Sequence, residues 1–236
     1  MKYMGSKQRF AKHILPIVLA DRQKDQWYVE PFAGGMNLIC EVDRNRLAND
    51  VHFYLIEMWK ALVNGWVPPK ITKEQYYQVK FNKDSYPPFL IGWVGFNCSY
   101  FGKWFDGYAG EIQDNNGKTR NYQEEAVRNI ESQVKKMTGV TFTNLPYWEL
   151  PIPDNSIVYC DPPYNGTRKY ANAFDSVKFW DWARAISKCG HTVFISEYVA
   201  PDDFKEVWSL ETKVSLSIDR SLGIRKTAVE KLWQLK

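Results

Sequence analysis

The segment Trp27-Tyr-Val-Glu-Pro-Phe32 runs into Ala33-Gly34-Gly35 and is followed, a short helix-length later, by Arg46-Leu-Ala-Asn-Asp50. The first stretch reads as a short buried strand entering a glycine turn, Asn37 to Arg44 as a short helix, and the last as a second strand ending in a carboxylate. A strand, turn, helix and strand packed into so few residues leave little choice of fold. Such a unit opens an α/β sheet, with strands side by side and helices on the faces.

The rest of the chain extends that sheet after an interruption. Ser156-Ile-Val-Tyr-Cys160 and His191-Thr-Val-Phe-Ile-Ser196 read as strands with a helix from Val177 to Ser187 between them, and Lys213 to Ser217 and Val229 to Leu235 supply two more strands. From Trp59 to Gly139 the pattern changes. Pro68-Pro69 and Pro87-Pro88 punctuate it, Asp114-Asn-Asn-Gly-Lys118 is a polar loop, and Gly92 to Tyr108 is dense in aromatics and glycines. With a helix expected over Gln123 to Lys136, residues 59–139 read as an inserted, mostly helical subdomain, and 1–58 with 140–236 as one sheet domain.

Composition removes several alternatives. At 44% hydrophobic and 25% charged over 236 residues, the chain is not of the kind that stays disordered. No stretch approaches the roughly 20 apolar residues that span a bilayer. Lys and Arg do precede Ile14-Leu-Pro-Ile-Val-Leu-Ala20, but so short a run, broken by Pro16 and lacking a good cleavage site, argues against a secretion signal. Four dispersed cysteines with no CxxC pair, and three histidines that form no cluster with them, suit a reducing compartment and no metal site. A formal charge of +4 permits nucleic-acid binding without demanding it, and 16% aromatic residues supply either a generous core or stacking faces for bases.

Asp161-Pro-Pro-Tyr164 follows directly from the strand ending at Cys160. In an open α/β sheet, ligands sit beyond the carboxyl ends of the strands, which is where this turn and the Phe32 to Gly35 turn lie. The residue types suit an exocyclic amine on a base, whose lone pair is delocalised into the ring. A carboxylate accepting one N–H and a fixed carbonyl accepting the other favour a pyramidal nitrogen and free that lone pair. Two prolines hold such a carbonyl rigidly and remove competing donors. An adjacent tyrosine gives a face on which an extruded base can stack.

On these residues the chain resembles the Dam-like family of DNA adenine-N6 methyltransferases, particularly its phage and prophage members. The resemblance also draws on Lys2-Tyr-Met-Gly-Ser-Lys7, Glu30-Pro-Phe-Ala-Gly-Gly35, Phe194-Ile-Ser-Glu-Tyr198 and Arg225-Lys-Thr-Ala-Val-Glu-Lys-Leu-Trp233, in that order. It implies a Rossmann-like methyltransferase sheet carrying an inserted target-recognition subdomain. It implies S-adenosylmethionine as cofactor, S-adenosylhomocysteine as product, no metal, double-stranded DNA as partner and a monomer in the cytoplasm of a bacterial or phage-infected cell. By matched position, Asp161, Pro162, Pro163 and Tyr164 would be catalytic, and Tyr3, Lys7, Phe32, Gly34, Asp50 and Asp161 would bind cofactor. Asp50 would take the ribose hydroxyls, although a carboxylate there also suits a helix cap. DNA contacts are expected from Lys103, Lys118, Arg120, Arg168 and Lys169. Two positions depart from the family pattern. Met36 stands where a small residue is usual, and Leu145-Pro-Tyr-Trp-Glu149 lacks the acid that contacts the cofactor adenine, leaving Glu149 or the Tyr147 amide as substitutes. RNA adenine or cytosine N4 as target, or a catalytically silent DNA-binding module, remain the alternatives.

Overall fold

A computed structural model describes residues 1–113, 117, 119–163, 174–219 and 224–236, with the backbone alone for 213–219 and 224–226. Seven strands form the main sheet: β1 (Tyr28–Glu30), β2 (Arg46–Asn49), β5 (Val140–Thr143), β6 (Ile157–Cys160), β7 (Thr192–Ser196), β8 (Phe204–Asp219) and β9 (Ile224–Leu235). Their order is β5-β2-β1-β6-β7-β9-β8. The first five run parallel, while β9 is antiparallel to both β7 and β8. β3 (Glu111–Gln113) and β4 (Thr119–Asn121) make a separate antiparallel pair. This is the expected Rossmann-like α/β sheet, five parallel strands with an antiparallel pair added at one edge.

Alternation in the strands decides the two core layers. Ile157 and Tyr159 of β6 pack with Tyr28, Ala48 and Phe194 on one face, whereas Val158 and Cys160 pack with Val29, Leu47, Val193 and Ile195 on the other. Both faces are buried, as a parallel sheet requires. The helix α6 (Ser176–Lys188), capped by the Asp175 carboxylate on Lys178 N–H, covers the second face with Phe179, Trp180 and Ala183. On the first face lie α1 (Ala11–Val18) and α2 (Phe53–Val63), together with three helices from residues 59–139: α3 (Lys73–Phe81), α4 (Pro88–Asn97) and α5 (Tyr122–Val134). α4 approaches α2 so closely that a Cβ on Gly92 would stand 2.1 Å from the Tyr54 carbonyl oxygen, so only glycine fits there.

Residue 59 lies inside α2, and the insertion's Ile71, Tyr76, Trp93 and Ile130 belong to the same apolar cluster as the sheet residues. One local reading needs correction. The helix expected over Asn37 to Arg44 is only a single 3-10 turn, Ile39–Glu41. Gly34 and Met36 both take left-handed φ values (+48° and +56°), and Val42 is already extended toward β2, so no helical run has room to form. The apolar run from Ile14 is an ordinary amphipathic helix, α1, with Ile14 and Val18 buried and Pro16 inside it.

Candidate active site

The strand order reverses between β1 and β6, since the chain passes from β1 to β2 on one side and from β6 to β7 on the other. The crevice at such a switch point, outside the carboxyl ends, is where open α/β sheets bind ligands. Here it is a cleft of about 1040 Å³. Tyr3, Lys7, Phe32, Gly34, Asp50, Asp161, Pro162 and Pro163 all line it. Lys103 and Arg120 do not. Tyr164, Lys118, Arg168 and Lys169 lie outside the described residues.

Asp161 leaves the end of β6, and its Oδ1 is 2.9 Å from the Nζ of Lys7, a lysine only 5% exposed. The Glu230 carboxylate, from β9, stands 3.7 Å from the same ammonium on another side, and the Gly5 carbonyl accepts from it at 3.5 Å. Burial alone pulls the Lys7 pKa down, but Asp161 and Glu230 outweigh it and the group is held above its ordinary value. Lys7 is therefore a permanent cation against the Asp161 carboxylate. Beneath them, Glu30 at the end of β1 accepts the Tyr28 hydroxyl at 2.8 Å. Burial pushes the Glu30 carboxyl up to about 8, with the Tyr28 hydrogen bond working against the rise and the charge of Asp161 adding to it.

The glycine loop is held from two sides. Tyr3 lies on it, so that a Cβ on Gly35 would stand 2.7 Å from the Tyr3 Cβ and one on Gly34 2.8 Å from its ring. From below, Asp50 accepts Gly34 N–H and His52 N–H, each at 2.9 Å. Its carboxyl is raised by burial and pulled back by those two bonds. Asp50 thus ties the glycine loop to the start of α2. Each of its oxygens keeps lone-pair capacity for a further donor. Met36 turns away from the cleft and is fully buried in the core.

The far wall is apolar. Phe32 packs against Tyr147, Phe174 and Phe179 with ring centroids 5.1, 6.0 and 5.8 Å apart. Trp148 closes the rim with the Lys178 ammonium 3.8 Å from its ring centroid. Glu149 is exposed, does not line the cleft, and accepts the Trp148 indole N–H, whereas Tyr147 does line it. Residues not anticipated from the sequence also build the site. Asn49, fully buried, donates to the Pro31 and Leu145 carbonyls and accepts from Leu145 N–H and the Thr143 hydroxyl, joining three carboxyl-end loops. An amide beside a strand-end carboxylate was the available signal for it. Glu30 and Glu230 stand within segments that carry the resemblance, but only sheet order and register bring them to Asp161 and Lys7, and His52 is the side-chain cap of α2.

Lys103 pairs with Asp106 at 3.4 Å and lies over the Phe101 ring. Arg120, on β4, makes a two-pronged contact with Glu125 (2.7 and 3.0 Å) over the face of Tyr122. Lys2 reaches the same carboxylate at 2.5 Å.

A sheet with a switch-point crevice, a glycine loop braced by a strand-end carboxylate and an Asp-Pro-Pro turn opposite it together define a nucleotide-type α/β transferase site. Residues 3–88 and 101–196 match the D12 class N6 adenine-specific DNA methyltransferase family, and the chain belongs to that family of adenine-specific methyltransferases. It is also similar to two solved chains assigned as methyltransferases. With yhhF from Escherichia coli it shares 11% identity at a TM-score of 0.36, over 96% of this chain and 84% of that one. With SMU.472, solved in complex with SAH, it shares 13% identity at 0.38, over 99% of this chain and about half (54%) of that one.

The family's cofactor, S-adenosylmethionine, fits what the cleft offers. Its volume is at the upper end of the roughly 300–1000 Å³ typical of small-molecule sites, room for a nucleoside and a second planar group. Carboxylates at Asp50 and Asp161 suit ribose hydroxyls and a sulfonium cation, and the Phe32–Tyr147 wall suits an adenine ring. Among the described residues, no group of three or more His, Cys, Asp or Glu side chains could hold a metal ion, and no helix is long and apolar enough to cross a membrane.

Proposed function

We propose that the protein methylates the N6 amine of an adenine extruded from double-stranded DNA. The observation that supports this most is the Asp161-Pro162-Pro163 turn, opening from β6 into the same cleft as the glycine loop and carrying a carboxylate braced by a buried ammonium. When bound, S-adenosylmethionine supplies a methyl group on a sulfonium, the electrophile. Tyr3, Lys7, Phe32, Gly34 and Asp50 hold that cofactor in this reading, Asp50 through the ribose hydroxyls.

Asp161 accepts one N–H of the adenine amine and the Pro162 carbonyl accepts the other. That pairing localises the nitrogen lone pair and gives the departing proton an acceptor. Tyr164, next in sequence, supplies the stacking face. Catalysis is then mostly positioning and exclusion of water. Residues 59–139 act as the target-recognition unit, with Lys103, Lys118 and Arg120 on phosphates or bases and Arg168 and Lys169 on the backbone beside the extruded base.

The test is to incubate the protein with S-adenosylmethionine and unmethylated DNA, digest to nucleosides and quantify modified bases by mass spectrometry. N6-methyldeoxyadenosine is expected. Asp161→Ala should lower its formation by about 10³-fold or more with an unchanged circular dichroism spectrum. N4-methylcytosine would overturn the base, methylation of RNA alone the polymer, and near-normal turnover by Asp161→Ala the role of the carboxylate.

A further inference from the structure

The ammonium that braces Asp161 is shared. Lys7 stands between two carboxylates, Asp161 at 2.9 Å and Glu230 at 3.7 Å, and both Lys7 and Glu230 are buried (5% and 8% exposed). Glu230 reaches this point because of sheet register. β9 pairs with β7 at Ser196↔Leu232, so Glu230 lies two residues beyond the carboxyl end of β7, on the cleft side of the sheet. The period-two alternation of the strand puts Glu230 on the same face as the fully buried Leu232. A carboxylate in such a place is costly to desolvate unless a cation compensates it.

We infer that Glu230 is a positioning residue for methyl transfer. By taking part of the charge of Lys7, it leaves Asp161 able to accept an amine N–H and keeps the cleft floor negative toward a cationic ligand. Without Glu230, more of the charge of Lys7 falls on Asp161. Glu30, lifted to about 8 by burial, is mostly a neutral acid at pH 7 and adds little charge to the group. Tyr198, a further ionisable group felt by Lys7, is raised by burial and by Glu230 and so also stays neutral. The inference rests on the cleft being the S-adenosylmethionine site, but not on DNA being the substrate.

That separation makes the test specific. S-adenosylmethionine is a sulfonium cation and S-adenosylhomocysteine the neutral thioether, so their affinity ratio reports the charge of the floor. One unit charge acting across about 10 Å at an effective dielectric constant of about 20 changes an affinity roughly tenfold. Titration calorimetry of Glu230→Gln should therefore show S-adenosylmethionine binding about tenfold weaker, with S-adenosylhomocysteine binding within about twofold of wild type. Glu230→Asp, which restores the charge, should recover most of the preference, and the methylation rate should follow the preference while the KM for DNA stays unchanged. Equal loss of both ligands, or no change in either, would overturn the inference, the first by showing a purely structural role. A wild-type protein that binds both ligands yet leaves DNA unmodified would overturn the proposed function and leave this inference to stand on the affinity ratio. Failure of wild type to bind either ligand would overturn both.

Discussion

Burial of the Glu30 carboxyl at the end of β1 has a consequence for stability as well as for the charge of the site. Its pKa is lifted to about 8, chiefly by desolvation, against a reference of 4.5. A carboxyl raised in the folded state favours folding while protonated, so its contribution is full below about pH 4.5 and is lost as pH climbs through about 8. Across that window the wild-type stability should decline with a slope approaching about 1.4 kcal/mol per pH unit from this group alone. Glu30→Gln keeps the shape and removes the proton equilibrium. Urea denaturation at pH 5 and pH 9 should show the variant gaining on wild type at the higher pH. An identical difference at both values would mean that Glu30 titrates normally.

Among the elements, the β3–β4 pair, which leads into the first turn of α5, carries Arg120, one of the proposed nucleic-acid contacts. Asn121 caps α5 by accepting Gln123 and Glu124 N–H, which fixes Glu125 next to the end of β4. Glu125 then holds Arg120 and Lys2, both stacked over Tyr122 at 4.6 and 5.2 Å, and its pKa is drawn down to about 2 by those hydrogen bonds. The two cations are therefore organised and their charge is partly offset, and reaching a phosphate means leaving Glu125. Glu125→Gln should free them, tightening DNA binding severalfold at low salt and steepening the dependence of log Kd on log salt by up to about one unit per added phosphate contact. Fluorescence anisotropy over a salt series measures both. An unchanged slope would take this part of the insertion out of the interface.

At the scale of the whole molecule, residues 59–139 and the sheet share one core and one buried arginine. Arg46, in β2 and 5% exposed, donates to the carbonyls of Ile39 at 3.3 Å, Lys136 at 2.8 Å and Thr138 at 2.6 Å. It thereby joins the sheet to the chain leaving α5. Arg46→Met preserves the apolar stem but strands those carbonyls, which should cost about 2–4 kcal/mol in urea denaturation. Because the apolar cluster runs from Tyr28 and Ile157 through Trp93 to Ile130, wild type should unfold in a single transition. A variant within 0.5 kcal/mol of wild type, or two separated transitions, would contradict this account; 0.5 kcal/mol is about the scatter of ordinary surface substitutions.

Local physics made much of this legible in the sequence. Short apolar runs such as Ile157 to Cys160 have one outcome when both faces are buried, and the Asp161-Pro-Pro turn is fixed by proline geometry. The helix read over Asn37 to Arg44 fails for an equally local reason, the left-handed Met36 before it and the extended Val42 and left-handed Arg44 within it. Other features depended on chain segments far apart in sequence. β5 at the sheet edge, Asp50 bracing the glycine loop, and Tyr3 lying on Gly34 and Gly35 all arise from packing against partners that no window of residues contains. The same is true of Lys7 between Asp161 and Glu230. Residue types and their order determined the α/β class and the Asp161-Pro-Pro turn, because backbone sterics and hydrophobic periodicity act over a few residues. Only the tertiary structure decided which charges meet at that turn, because electrostatic pairing depends on distance in space and burial, and both are set by sheet order and register.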